Sequence, residues 1–202
     1  MTAAEARKRA TYQDVLGAPA HMVAEVIDGV LHLHPRPAFP HALAFSELGG
    51  QLVPAFSRGR GGPGGWVILG EPELHLGPEP DILVPDLAGW RNERMPVVPR
   101  AAFVTLAPDW ACEVISPSTG DVDRAEKVPI YARERVAHVW LVDPLLRTLE
   151  VLRLDGPTYR LVGTWRGEAK VRAEPFDAIE LELGALWARV EPEPGPSTTP
   201  GG

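Results

Sequence analysis

The sequence predicts an α/β domain in which a mixed central β-sheet is flanked by helices. Apolar runs of strand length alternate with segments whose apolar residues recur at helical spacing, and this alternation is typical of that class. The predicted central strands cover residues 82–86, 109–116 and 137–143. The predicted helices cover residues 3–17, 40–56 and 121–135. Shorter apolar runs at 147–183 predict an additional antiparallel section near the C-terminus.

Length and composition favour one folded unit that is often interrupted. The 202 residues fit a single domain, to which we assign residues 1–190. Gly occupies 20 and Pro 22 of the 202 positions. Their combined share is below the roughly 25–30% at which an unpatterned chain is disordered. Many short elements are therefore expected. Residues 191–202, EPEPGPSTTPGG, contain no apolar side chain and predict a disordered tail.

Charge and cysteine content exclude several classes of protein. No run approaches the roughly 18 apolar residues of a membrane span, and the N-terminus lacks an apolar signal core, so we expect a cytoplasmic location without membrane contact. The one cysteine, Cys112, excludes an internal disulfide and a cysteine-based zinc cluster. The formal net charge of −7 argues against a protein that coats DNA. It does not argue against an enzyme whose carboxylates hold a cation.

The N-terminal part predicts a β-hairpin between Met22 and His34. Its two apolar runs are joined by Asp28 and Gly29, the dipeptide that favours a type I′ turn. Glu25 lies inside this hairpin, where a single Glu usually faces solvent.

Further polar residues stand at places where chemistry is plausible. Asp86 follows Pro85 at the end of a predicted strand, and Asp81 competes with it for the same role. Glu113 lies in the middle of the next apolar strand, where an unpartnered charge would cost several kcal/mol, so we expect a cation beside it or an exposed strand end. Lys127 follows on the next helix, where a lysine either enters a site or lays its stem along the core.

The order of these residues carries a family resemblance. A Pro-Asp at a strand end, a Glu inside the next strand and a Lys on the following helix resemble the Uma2 family of restriction-endonuclease-like proteins, a branch of the PD-(D/E)xK nuclease superfamily. The resemblance covers about residues 11–187. The matching segments are EVIDGV from Glu25, VPDL from Val84, CEVISPST from Cys112, the residues Asp123, Lys127 and Tyr131, and VWLVDP from Val139.

The resemblance implies a restriction endonuclease-like fold and a function. It makes Asp86 and Glu113 ligands of a divalent metal and Lys127 the catalytic lysine, with Glu25 as an extra acidic residue of the site. Ile115 occupies the position of the motif lysine, so Lys127 would supply the ammonium from the neighbouring helix. The implied activity is Mg²⁺-dependent hydrolysis of DNA, with Mn²⁺ as a substitute, and carboxylate oxygens suit both ions.

Other interpretations stay open from the sequence. The fold could be catalytically inactive and bind nucleic acid or a protein partner. Asp86 and Glu113 could serve a glycosidase, although Lys127 would then have no role. His32, His34 and His41 could form a histidine metal site. Arginines in the loops at 57–65 and 91–100 are candidate contacts for phosphates, and an exposed apolar edge makes a homodimer the expected assembly.

Overall fold

A computed structural model describes residues 9–191 of the chain. The first strands are β1 (Met22–Ile27), β2 (Val30–Pro35), β3 (Trp66–Gly70), β4 (Leu74–Leu76), β5 (Asp81–Leu83) and β6 (Leu87–Arg91). The later strands are β7 (Trp110–Val114), β8 (His138–Asp143), β9 (Thr148–Asp155), β10 (Thr158–Arg166), β11 (Lys170–Val171) and β12 (Leu181–Glu182). The α-helices are α1 (Tyr12–Leu16), α2 (Phe39–Leu52), α3 (Gly120–Val122) and α4 (Val128–Arg133).

The central layer is a mixed sheet of six strands in the order β10-β9-β8-β7-β6-β3. Strands β7 and β8 run parallel, and the other neighbouring pairs run antiparallel. A second sheet has the order β2-β1-β5-β4. The predicted α/β class with a mixed central sheet is confirmed.

The predicted strand at residues 82–86 is wrong in its extent and in its sheet. Strand β5 ends at Leu83 and belongs to the second sheet, and residues 84–86 carry the chain across to β6 of the central sheet. Pro85 has no N–H to give to a ladder. The N–H of Val84 donates to the Glu25 carboxylate at 2.7 Å. Asp86 therefore lies at the junction of the two sheets.

The predicted hairpin is confirmed. Strands β1 and β2 pair antiparallel from Met22 opposite Pro35 to Ile27 opposite Val30. Asp28 and Gly29 have φ values of +48° and +79°, and a type I′ turn requires a positive φ at both positions.

The predicted helices differ from the structure mainly at their ends. The helix predicted over 3–17 is wrong for residues 9–11, because the N–H and hydroxyl of Thr11 donate to Asp14 at 2.7 and 2.8 Å and start α1 at Tyr12. Residues 3–8 lie outside the described residues. The helix predicted over 40–56 is confirmed as α2 with a π-helical turn at Val53–Ser57. The helical segment predicted at 121–135 is interrupted by a π-helical turn at Asp123–Lys127, between α3 and α4.

The C-terminal section is joined to the central sheet. Strands β9 and β10 are antiparallel, as predicted, but β9 pairs with β8 and so extends the central sheet, while β11 and β12 form a small separate pair. Of the predicted tail, Glu191 has no regular structure and residues 192–202 lie outside the described residues.

The central sheet separates two apolar cores. One face packs against α2 and a short 3₁₀-helix at Leu183–Trp187, and the other packs against the second sheet and α4. Cys112 lies in the first core and Ala111 and Ile115 in the second, as strand alternation predicts. Glu113 thus lies on the side of the second core. No helix within residues 9–191 is long and apolar enough to cross a membrane.

Candidate active site

A cavity of about 230 Å³ brings together four residues that are far apart in the sequence. Its walls include Glu25, Asp86, Glu113 and Lys127. They come from the hairpin, the junction between the sheets, strand β7 and the π-helical turn, respectively. The folded chain therefore places all four predicted site residues around one space.

Glu113 is held by two groups from the helical segment that follows it. Its Oε1 accepts a hydrogen bond from the Tyr131 hydroxyl at 2.6 Å, and its Oε2 lies 3.2 Å from Lys127 Nζ. The residue is 2% exposed. A carboxylate this deep needs such partners, because an uncompensated buried charge is strongly destabilising.

Lys127 is surrounded by carboxylates. Its Nζ lies 3.1 Å from Glu25 Oε1, 3.1 Å from Asp123 Oδ1 and 3.2 Å from Glu113 Oε2. Asp123 and Tyr131 flank it at four-residue spacing, and the Val128 N–H bonds back to the Asp123 carbonyl across the π-helical turn. Such turns alter which residues share a helix face, and they are frequent at functional sites.

Asp86 is fixed by a backbone amide and a histidine. Its Oδ2 accepts from the Val114 N–H at 2.6 Å, and its Oδ1 lies 3.0 Å from His41 Nε2. The rival Asp81 does not line the cavity. Its carboxylate accepts instead from the Asp28 N–H at 2.6 Å and from Arg133.

The acids around the cavity keep Lys127 protonated. Burial raises the pKa of Glu113 well above its ordinary value, Lys127 opposes that rise, and Asp123, Asp86 and Glu25 add to it. Burial lowers the pKa of Lys127, but the charges of Glu113, Glu25 and Asp123 outweigh it, so that pKa is raised well above its ordinary value. Lys127 is therefore an ammonium at neutral pH.

Comparison with known proteins places the chain in a family. A family model named Uma2 and described as "Putative restriction endonuclease" matches residues 10–185. The chain belongs to the Uma2 family. The fold of this Uma2 chain is similar to that of a crystal structure described as a "putative nuclease belonging to DUF820" from Anabaena variabilis ATCC 29413, with a TM-score of 0.70. The two are 22% identical, and the match covers 89% of this chain and 98% of the other. Among curated proteins, none matches the sequence.

The three histidines considered as metal ligands in this Uma2 chain lie close to carboxylates. His32 Nε2 lies 3.5 Å from Glu126, His34 Nε2 lies 3.6 Å from Glu25, and His41 contacts Asp86. Within residues 9–191, no three His, Cys, Asp or Glu side chains are arranged to hold a metal ion. The histidine metal site considered from the sequence therefore finds no support in this part of the chain.

Three contacts at the Uma2 site were not predicted from the sequence. They are the Asp123 to Lys127 ion pair, the Tyr131 to Glu113 hydrogen bond and the His41 to Asp86 contact. The four-residue spacing of Asp123, Lys127 and Tyr131 was the available signal, whereas nothing in the sequence links His41 to Asp86. Two of the predicted phosphate-binding arginines have other partners: Arg91 stacks on Trp66 at 4.2 Å, and Arg94 pairs with Asp109 at 2.8 Å.

Proposed function

We propose that this Uma2 protein is a Mg²⁺-dependent endonuclease that hydrolyses phosphodiester bonds of DNA, with Mn²⁺ as a substitute cofactor. The observation that supports it most is the meeting of Asp86, Glu113 and Glu25 at one cavity with the ammonium of Lys127. The description of the family and that of the similar solved structure both point to a nuclease.

Two acids of the cavity, Asp86 and Glu113, have the oxygen donors that a hard divalent cation binds. Asp86 and Glu113 would hold it, since Mg²⁺ binds through one or two carboxylates and keeps several waters. Four carboxylates, those of Glu25, Asp86, Glu113 and Asp123, stand against one ammonium, and a cation would relieve that excess of negative charge. When bound, Mg²⁺ supplies a water of lowered pKa and neutralises negative charge on the phosphate.

Lys127 contributes charge in this proposal. Because its pKa is raised well above its ordinary value, it keeps its proton and does not act as a general base. Its ammonium would stabilise the negative charge of the transition state or orient the attacking water. Glu25 places that ammonium, because its Oε1 lies 3.1 Å from Lys127 Nζ and also accepts the Val84 N–H.

The test is cleavage of supercoiled plasmid DNA by the purified protein in Mg²⁺ or Mn²⁺. We expect Glu113→Gln and Asp86→Asn to lower the cleavage rate by about 10²–10³-fold, since each removes a charged ligand of the metal ion that would stabilise the reacting phosphate. Asp81→Asn is the control, because Asp81 is an acid as buried as Glu113 that the cavity does not include. Circular dichroism first establishes that each variant folds.

Two results would contradict the proposal. One is the absence of cleavage of plasmid, single-stranded DNA and RNA in both metals, and the other is wild-type cleavage by Glu113→Gln. Calorimetry tests the alternative that the fold is catalytically inactive. That alternative predicts no Mn²⁺ binding that is lost when Asp86 is replaced.

A further inference from the structure

We propose that Tyr131 is a positioning residue whose hydroxyl holds Glu113 in the orientation that binds the metal ion. The proposal rests on the proposed function and adds a residue that acts through Glu113 without touching the substrate.

Among residues 9–191, the hydroxyl of Tyr131 makes one hydrogen bond, to Glu113. The ring is fully buried, and its Oη donates to Glu113 Oε1 at 2.6 Å. The terminal torsion of a glutamate is broad and weakly restricted by itself. With Oε1 bound to Tyr131 and Oε2 beside Lys127, both oxygens of the carboxylate are fixed by groups of one helical segment. Groups that bind a ligating carboxylate in this way tune the affinity of metal sites.

Packing alone does not explain the hydroxyl. Tyr131 lies in the second core, among side chains that include Ile130, Val139 and Leu141. A phenylalanine ring would fill the same space without burying an O–H, which costs free energy unless it is hydrogen-bonded. Burial, followed by the charge of Glu113, raises the pKa of Tyr131 well above its ordinary value, so the phenol remains a donor. The hydroxyl thus acts on Glu113.

Tyr159 offers a matched control. Its hydroxyl also donates at 2.6 Å, but to the backbone carbonyl of Val136, and its ring packs against the same core. It does not line the cavity. Removing its hydroxyl deletes a hydrogen bond of equal length that does not involve Glu113.

The experiment compares Tyr131→Phe with Tyr159→Phe by Mn²⁺ calorimetry and by plasmid cleavage over a range of Mn²⁺ concentrations. We expect Tyr131→Phe to bind Mn²⁺ about tenfold more weakly, and Tyr159→Phe to bind it as the wild type does. The cleavage curve of Tyr131→Phe should move to higher Mn²⁺ by the same factor, with kcat restored at saturating metal. Incorporation of 4-aminophenylalanine at position 131 returns a donor and should restore Mn²⁺ affinity, whereas 4-fluorophenylalanine, which fills the same space without donating, should not.

The outcomes separate this proposal from the proposed function. If Tyr131→Phe binds Mn²⁺ as tightly as the wild type, the positioning role is overturned and the nuclease proposal stands. If the wild type binds no Mn²⁺, both are overturned. Should Tyr131→Phe fail to fold, 4-fluorophenylalanine replaces it in the comparison, because it fills the space of the hydroxyl without donating a proton.

Discussion

At the scale of single residues, Lys127 is the charge on which three buried carboxylates depend. Glu25, Glu113 and Asp123 are each 2% exposed, and Lys127 itself is 4% exposed. Replacing it with methionine leaves these acids without their cation, and breaking a buried ion pair in this way costs about 3–5 kcal/mol. We therefore expect Lys127→Met to lower the free energy of unfolding by that amount, measured by urea denaturation in EDTA.

The control for Lys127 is an exposed ion pair of the same type. Lys170 Nζ lies 2.8 Å from Glu182 on the surface, where solvent screens the charges. Lys170→Met should therefore change the urea midpoint very little. If Lys127→Met and Lys170→Met unfold at the same urea concentration, Lys127 does not stabilise the fold by compensating the buried acids.

Sequence reasoning at this scale identified the acids and the lysine but not their supports. The order of Asp86, Glu113 and Lys127 carries the family resemblance, the resemblance adds Glu25, and all four residues line the cavity. The four-residue spacing of Asp123, Lys127 and Tyr131 was the one sequence signal for the contacts of Tyr131. No residue type marks the π-helical turn at Asp123–Lys127. Single-residue patterns therefore predict which groups meet at the cavity better than they predict what holds those groups in place.

At the scale of elements, strand β8 carries a histidine with a pH signature. Burial lowers the pKa of His138 below its ordinary value, with smaller effects from Arg153 and Arg91, and Glu174 opposes the change. Between the folded pKa and the unfolded value of about 6.5, the unfolded chain binds more protons, so stability falls as the pH falls through that window. We expect His138→Gln to lose this part of the pH dependence in urea unfolding between pH 7.5 and 5.

A second histidine variant tests that assignment. His21 is exposed and lies outside the central sheet. His21→Gln should keep the pH dependence of the wild type. If His138→Gln also keeps it, the acid sensitivity arises elsewhere in the fold.

Elements were predictable where the local sequence determines them. Asp28 and Gly29 specify the hairpin, because the turn demands positive φ at both positions. Residues 82–84 are apolar throughout, so the sequence shows neither that β5 ends at Leu83 nor which sheet it joins. Likewise, the run at 147–183 does not reveal that β9 pairs with β8. Long-range pairing decides these points, and a local pattern does not contain it.

At the scale of the whole molecule, a homodimer stays a prediction with a surface that suits it. Phe39 is 92% exposed and lines a surface groove together with Leu145, which is 44% exposed. Burying such a patch against a second copy would remove apolar area from water. We expect light scattering to give twice the chain mass of 21.9 kDa.

The groove can be tested directly. The double variant Phe39→Ser with Leu145→Ser should give the mass of one chain. Val97→Ser, an exposed loop position outside the groove and outside both sheets, should leave the dimer mass unchanged. A wild-type mass near that of one chain contradicts the dimer.

The bonds from Val84 and Val114 to the cavity carboxylates affect how a mutagenesis series must be designed. Each amide donates to a side chain, Val84 to Glu25 and Val114 to Asp86, so these acids also fix the backbone of the segment after β5 and of strand β7. Alanine at position 86 would leave the Val114 N–H without its acceptor and loosen strand β7, which carries Glu113. Asparagine keeps an acceptor oxygen there and removes only the charge. Loss of activity in an alanine variant would therefore combine the effect of the lost charge with that of the disturbed backbone. The substitutions Asp86→Asn and Glu25→Gln separate these two effects.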